Sequence, residues 1–223
     1  MQEEKKYFYE MDSVILNVVS IILLVIMLFI TFTFTGISME TINDNLLLLL
    51  LTMIPYFAFH EVLHSIGYVV NGAKFNRVTY GIHLEKGILC CSCKQEVKKH
   101  TIMWSLMYPF LFIGVITYII GIICKIDILV ILSILNISGC SGDLIMFFAF
   151  LGLKKFKFFE YDNPMAFGIT TDIDMENKKL LALKKIEEDN FKQTVDKKIT
   201  VSKTSVIIMI LYAIICLINI IVR

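Results

Sequence analysis

Residues 46–70 read LLLLLLTMIPYFAFHEVLHSIGYVV, an apolar run long enough to cross a bilayer core of about 30 Å as a helix. Three ionisable residues interrupt it within five positions: His60, Glu61 and His64. An ionisable side chain at the centre of a membrane helix costs on the order of 2.5–3.5 kcal/mol, so three together demand a function. On a helix, positions i and i+4 share a face, and His60 and His64 can therefore hold one metal ion between them. Glu61 sits about 100° further round, where its carboxylate reaches a water on that ion without ligating the ion itself. Zinc suits such a donor set, and a zinc that does chemistry keeps one position open for water.

Composition extends the membrane reading to the whole chain. Of 223 residues, 57% are hydrophobic and the mean hydropathy is +0.75, values that fit a polytopic membrane protein. A net charge of +1, without a basic stripe interleaved with aromatics, argues against nucleic acid as a partner. The six cysteines stand at positions 90, 91, 93, 124, 140 and 216; Cys90, Cys91 and Cys93 share one loop and read as reduced thiols. The N-terminus is a charged segment followed by an apolar run lacking a small-residue cleavage site, which reads as a signal anchor.

Five apolar runs are expected to span, at residues 14–35, 46–70, 102–123, 128–152 and 205–222, giving an all-α transmembrane fold. The third and fourth are separated only by Cys124-Lys125-Ile126-Asp127 and should form a tight helical hairpin. Nineteen of the 21 Lys and Arg fall in the N-terminal tail and in the 71–101 and 153–204 loops. By the positive-inside rule this places the N-terminus in the cytoplasm, the C-terminus outside and the chain in the plasma membrane. Residues 78–84 and 88–93, flanking Glu85-Lys86-Gly87, read as a small cytoplasmic β-hairpin. Residues 94–104 read as an interfacial helix and 175–198 as a charged cytosolic helix. The expected organisation is a tail, anchor helix and outer loop (1–45), a membrane-embedded core (46–170), the charged segment (171–204) and a final span (205–223).

Of the twenty Asp and Glu, only Glu61 and Asp143 lie well inside an expected span, and at about the same depth. Two helices that join His60, His64 and Asp143 would supply three zinc ligands. Small residues around Asp143 (Ser138, Gly139, Ser141, Gly142) permit the close helix approach that a shared site needs. Asn136 lies two turns before Asp143 on the same face; it either hydrogen-bonds a substrate or oxyanion, or packs helices. Cys140 is an alternative third ligand or a small packing residue. The hairpin either offers its edge to an extended peptide or serves as a connector at the headgroups.

With a His-Glu-x-x-His span and a later intramembrane Asp, the chain resembles the site-2 protease class of intramembrane zinc metalloproteases. More closely, it is similar to a bacterial integral-membrane zincin peptidase family. That family shows a hairpin, two spans, a Ser/Gly-Gly-Asp segment (here Ser141-Gly142-Asp143) and an Asp-x-Pro turn (here Asp162 and Pro164). The likeness covers roughly residues 46–170. It implies a membrane-embedded zinc metalloendopeptidase that hydrolyses membrane or membrane-proximal substrates, with His60, His64 and Asp143 on zinc and Glu61 as general base. The competing expectation is a non-catalytic zinc-binding membrane scaffold or a metal-handling transporter.

Overall fold

The computed structural model describes residues 4–37, 42–43, 46–83, 88–160, 166–176, 178–193, 199–208, 211–212 and 215. Among these, three helices are long and apolar enough to cross a membrane: α1 (Ser13–Phe34), α2 (Leu46–Val70) and a composite span over Lys99–Cys124. Asp12 caps α1, its carboxylate accepting from the amides of Val14 and Ile15. The composite span consists of α3 (Lys99–Pro109), a π-helical stretch (Phe110–Ile116) and α4 (Thr117–Cys124). The π-helical stretch follows directly on Pro109, whose ring disturbs the hydrogen-bond ladder of the preceding turn.

α4 ends at Lys125, which adopts a left-handed conformation (φ 57°), and Ile126 N–H closes the turn onto Gly121 O. The tight hairpin expected there leads into α5 (Asp127–Gly139). The fourth expected span is not one straight helix. α5 and α6 (Ser141–Leu151) meet at Cys140 with a bend of 48°. Ser138, Gly139, Ser141 and Gly142 are weak helix formers, so the ladder breaks where the small residues cluster. The fifth expected span lies largely outside the described residues, as do the 85–87 and 162–164 turns.

The expectation of an all-α fold is overturned, because two antiparallel sheets accompany the helices. Strands β1 (Lys5–Met11), β4 (Val97–Lys98), β5 (Lys157–Phe159), β6 (Ala166–Thr171) and β7 (Leu183–Ile186) form one sheet in the order β4-β5-β6-β1-β7. The N-terminal segment read as a charged tail is thus a central strand, registered from Lys5 opposite Thr171 to Glu10 opposite Ala166. Its lysines conceal a Tyr7-Phe8-Tyr9 stretch of strong strand formers, all three buried. The second sheet has the order β3-β2-β8, with β2 (Val78–His83), β3 (Ile88–Cys93) and β8 (Ile199–Val201). Its β2–β3 pair is the hairpin expected after α2.

The expected interfacial helix at 94–104 is instead β4 running directly into α3. Among its described residues, the expected charged helix at 175–198 contains β7 and a short helix, α7 (Glu188–Gln193). Tertiary pairing decides both stretches, since β7 adds to the free side of β1. A core of Tyr68, Ile102, Phe150, Phe158, Phe167 and Ile169 fastens the five-stranded sheet beneath α2, α3 and α6.

Candidate metal centre

His60 and His64 lie on one face of α2, both largely buried, and Asp143 approaches them from the first turn of α6. The two Nε2 atoms are 3.0 Å apart; His60 Nε2 is 3.4 Å from Asp143 Oδ2 and His64 Nε2 is 3.5 Å from Asp143 Oδ1. A tetrahedral ion with bonds of about 2.0–2.1 Å has ligand–ligand edges of about 3.3–3.4 Å, close to these separations.

The far side of each imidazole fixes its proton. His64 Nδ1 faces the Ser105 carbonyl at 2.9 Å, which can only accept. His60 Nδ1 faces Asn136 Oδ1 at 2.8 Å. Asn136 is fully buried, and its Nδ2 donates to Pro109 O at 3.2 Å, which turns the amide so that its oxygen meets His60. In their neutral form both rings therefore carry the proton on Nδ1 and direct Nε2 lone pairs toward one point, where the Asp143 carboxylate adds a third donor. Two lone pairs at 3.0 Å repel unless a cation lies between them. The donor set fits zinc.

Packing places these groups. Gly67 of α2 lies against the Ser105 backbone of α3, and a Cβ there would collide with Ser105 Cα. This close approach carries the Ser105 carbonyl to His64, while Ser105 Oγ donates back to the His64 carbonyl. The π-helical stretch after Pro109 contributes to the same wall, Ile113 O accepting from Tyr56 one turn before His60.

Glu61 points to the other side of the site. One of its carboxylate oxygens lies within 4.8 Å of the His60 and His64 ligand nitrogens, and it accepts a hydrogen bond from the Cys91 backbone amide. β3 is an edge strand of its sheet; Cys91 and Cys93 turn their amides away from β2, to Glu61 and, at 2.7 Å, to Glu160. A cavity of about 540 Å³ opens over these groups. Its polar floor is His60, Glu61, His64 and Asp143; its sides include Met11, Phe57, Met146 and Leu89. Burial pushes the Cys91 thiol well above the ordinary range and the Tyr80 hydroxyl up to about 12. Both groups, linked through Ser65, stay neutral beside Glu61.

The structure brings His60, Glu61, His64 and Asp143 together. It places Asn136 behind His60, its Oδ1 against His60 Nδ1, and not among the residues lining the cavity. Cys140 is fully buried with its sulfur 4.0 Å from His60 Nδ1, on the ring edge opposite the Nε2 atoms. Sequence reasoning missed the Ser105 carbonyl, the Cys91 amide and Glu160, whose carboxylate lines the cavity and accepts from Tyr68. Backbone groups carry no residue-type signal, and Glu160 follows β5 with no motif around it.

Comparison with known proteins adds one finding. Residues 53–156, a little under half of the chain, match the model of a family described as "Putative zincin peptidase". No curated protein and no solved structure matches the chain. The matched stretch contains both histidines, Glu61, the β2–β3 hairpin and Asp143, and stops short of Glu160.

Proposed function

We propose that this chain is a membrane-embedded zinc metallopeptidase of the His-Glu-x-x-His type, akin to site-2 proteases, that cleaves membrane or membrane-proximal polypeptides. The observation that carries the reading is the convergence of two Nδ1-protonated imidazoles and a carboxylate at 3.0–3.5 Å from two separate helices, with a second carboxylate alongside. The family likeness over residues 53–156 supports the same chemistry. His60, His64 and Asp143 would hold the ion. Zinc, when bound, lowers the pKa of its water toward about 7 and polarises a carbonyl.

The chain's own groups do the rest. Glu61 removes a proton from the attacking water and returns it to the leaving nitrogen, a transfer its position beside the histidines allows. Asn136 and the Ser105 carbonyl hold the two imidazoles in the tautomer and orientation this requires. A substrate helix must unwind before cleavage, since its peptide groups are shielded by internal hydrogen bonds. The outer edge of β3 takes the unwound segment as an added strand, with substrate carbonyls replacing Glu61 and Glu160 as acceptors for the Cys91 and Cys93 amides. The Lys and Arg distribution supports a cytoplasmic N-terminus and a site in the cytoplasmic half of the bilayer.

The test is Glu61→Gln in purified, zinc-loaded protein, with cleavage of a membrane-protein library followed by mass spectrometry. The variant is expected to keep its zinc and lose all cleavage. Cleavage at the wild-type rate would remove Glu61 from the mechanism. Zinc binding by wild type without any cleavage would favour a scaffold.

A further inference from the structure

A second cavity, of about 640 Å³, lies away from the metal centre, where the composite span begins and α6 ends. Its walls carry Lys98 and Lys99 on one side and Lys154, Lys155 and Lys157 on the other, against two carboxylates, Glu4 and Asp172. Glu4 is taken up by Lys157 at 2.9 Å, and Lys99 Nζ is drawn to the carbonyls of Leu151 and Leu153. Among the described residues, Lys98, Lys154 and Lys155 have no ion-pair partner, and all three are exposed. Five lysines around one concavity repel one another, and an anion relieves that repulsion.

The position selects the anion. Lys99 is the first residue of a 26-residue apolar segment and Leu151 the last of the bent pair, so the cavity sits at the boundary between hydrocarbon and water. Met103 and buried Phe156 line it, and exposed Trp104 follows Met103 on α3, as suits a residue at headgroup level. The first turn of α3 adds its positive end in the same sense, with no acidic residue there to offset it. We infer that this cavity is a binding site for a phosphate-bearing headgroup, that of an anionic phospholipid of the surrounding leaflet. Lys98, Lys154 and Lys155 contact the phosphate, and the acyl chains run down past Met103 and Trp104. The inference does not depend on the peptidase reading.

A lysine near an anionic lipid surface contributes about 1 kcal/mol, a factor of about five, so reversing two of them should lower occupancy at least about tenfold. The experiment is native mass spectrometry of the protein released from nanodiscs of phosphatidylcholine with phosphatidylglycerol. Wild type is expected to carry bound phosphatidylglycerol. Lys154→Glu/Lys155→Glu is expected to lose it, and Lys154→Gln/Lys155→Gln to lose part of it. Lys179→Glu/Lys184→Glu, an equal charge change outside the cavity, should retain it. Unchanged thermal midpoints in pure phosphatidylcholine nanodiscs show that the variants fold. Glycerol 3-phosphate is then added in the phosphatidylcholine discs. A rise in midpoint for wild type but not for Lys154→Glu/Lys155→Glu identifies a site that also takes the free phosphate; no rise alongside lipid retention identifies the lipid alone. Equal phosphatidylglycerol retention by wild type and Lys154→Glu/Lys155→Glu, with no effect of glycerol 3-phosphate, overturns the proposal.

Discussion

Asn136 shows how much of this site is decided one atom beyond the ligands. Its amide is held from behind by Pro109 O and Cys140, and its oxygen fixes the proton of His60 on Nδ1. Without that acceptor the His60 ring can shift its proton to Nε2, where it no longer ligates. Groups of this kind typically affect metal affinity by about 10–100-fold. Asn136→Ala is therefore predicted to weaken zinc binding by about that factor in a chelator competition, with occupancy restored at excess zinc. An unchanged affinity would make Asn136 a packing residue only. The expected face shared with Asp143 assumed one straight helix, which the bend at Cys140 interrupts, and which way the Asn136 amide points depends on the Pro109 carbonyl in another span. No residue pattern reports that.

At the scale of elements, α2 was legible, because an apolar run with two histidines at i and i+4 fits a helix. The β2–β3 hairpin was legible from two β-rich runs about a Gly turn. β1 was not, since lysines dominate its first residues and its partners lie over 150 positions away in sequence. The bend at Cys140 had a visible cause in the surrounding Ser and Gly, yet hydropathy averages across it. The edge of β3 carries a prediction at this scale. Leu89 shares strand parity with Cys91 and Cys93, whose amides face the open edge. Leu89→Pro removes an outward donor without touching a β2–β3 hydrogen bond. It is predicted to keep zinc and to lower cleavage of unwound peptide substrates at least about tenfold. Full cleavage by that variant would show that substrate does not add to β3.

Over the whole molecule, hydropathy anticipated the three described helices that are long and apolar enough to cross a membrane, while the sheets depend on long-range pairing between short strands that composition does not reveal. The five-stranded sheet ties the N-terminal strand to the segment after α6, and its core anchors the helices that carry the two halves of the site. α2 supplies His60 and His64 to the proposed centre, and α6 supplies Asp143. The measurement that tests this most directly is zinc per chain in detergent-purified wild type, His64→Ala and Asp143→Ala. About one zinc in wild type and none in either variant is the predicted result. Zinc retained in Asp143→Ala would contradict a centre shared between the two helices.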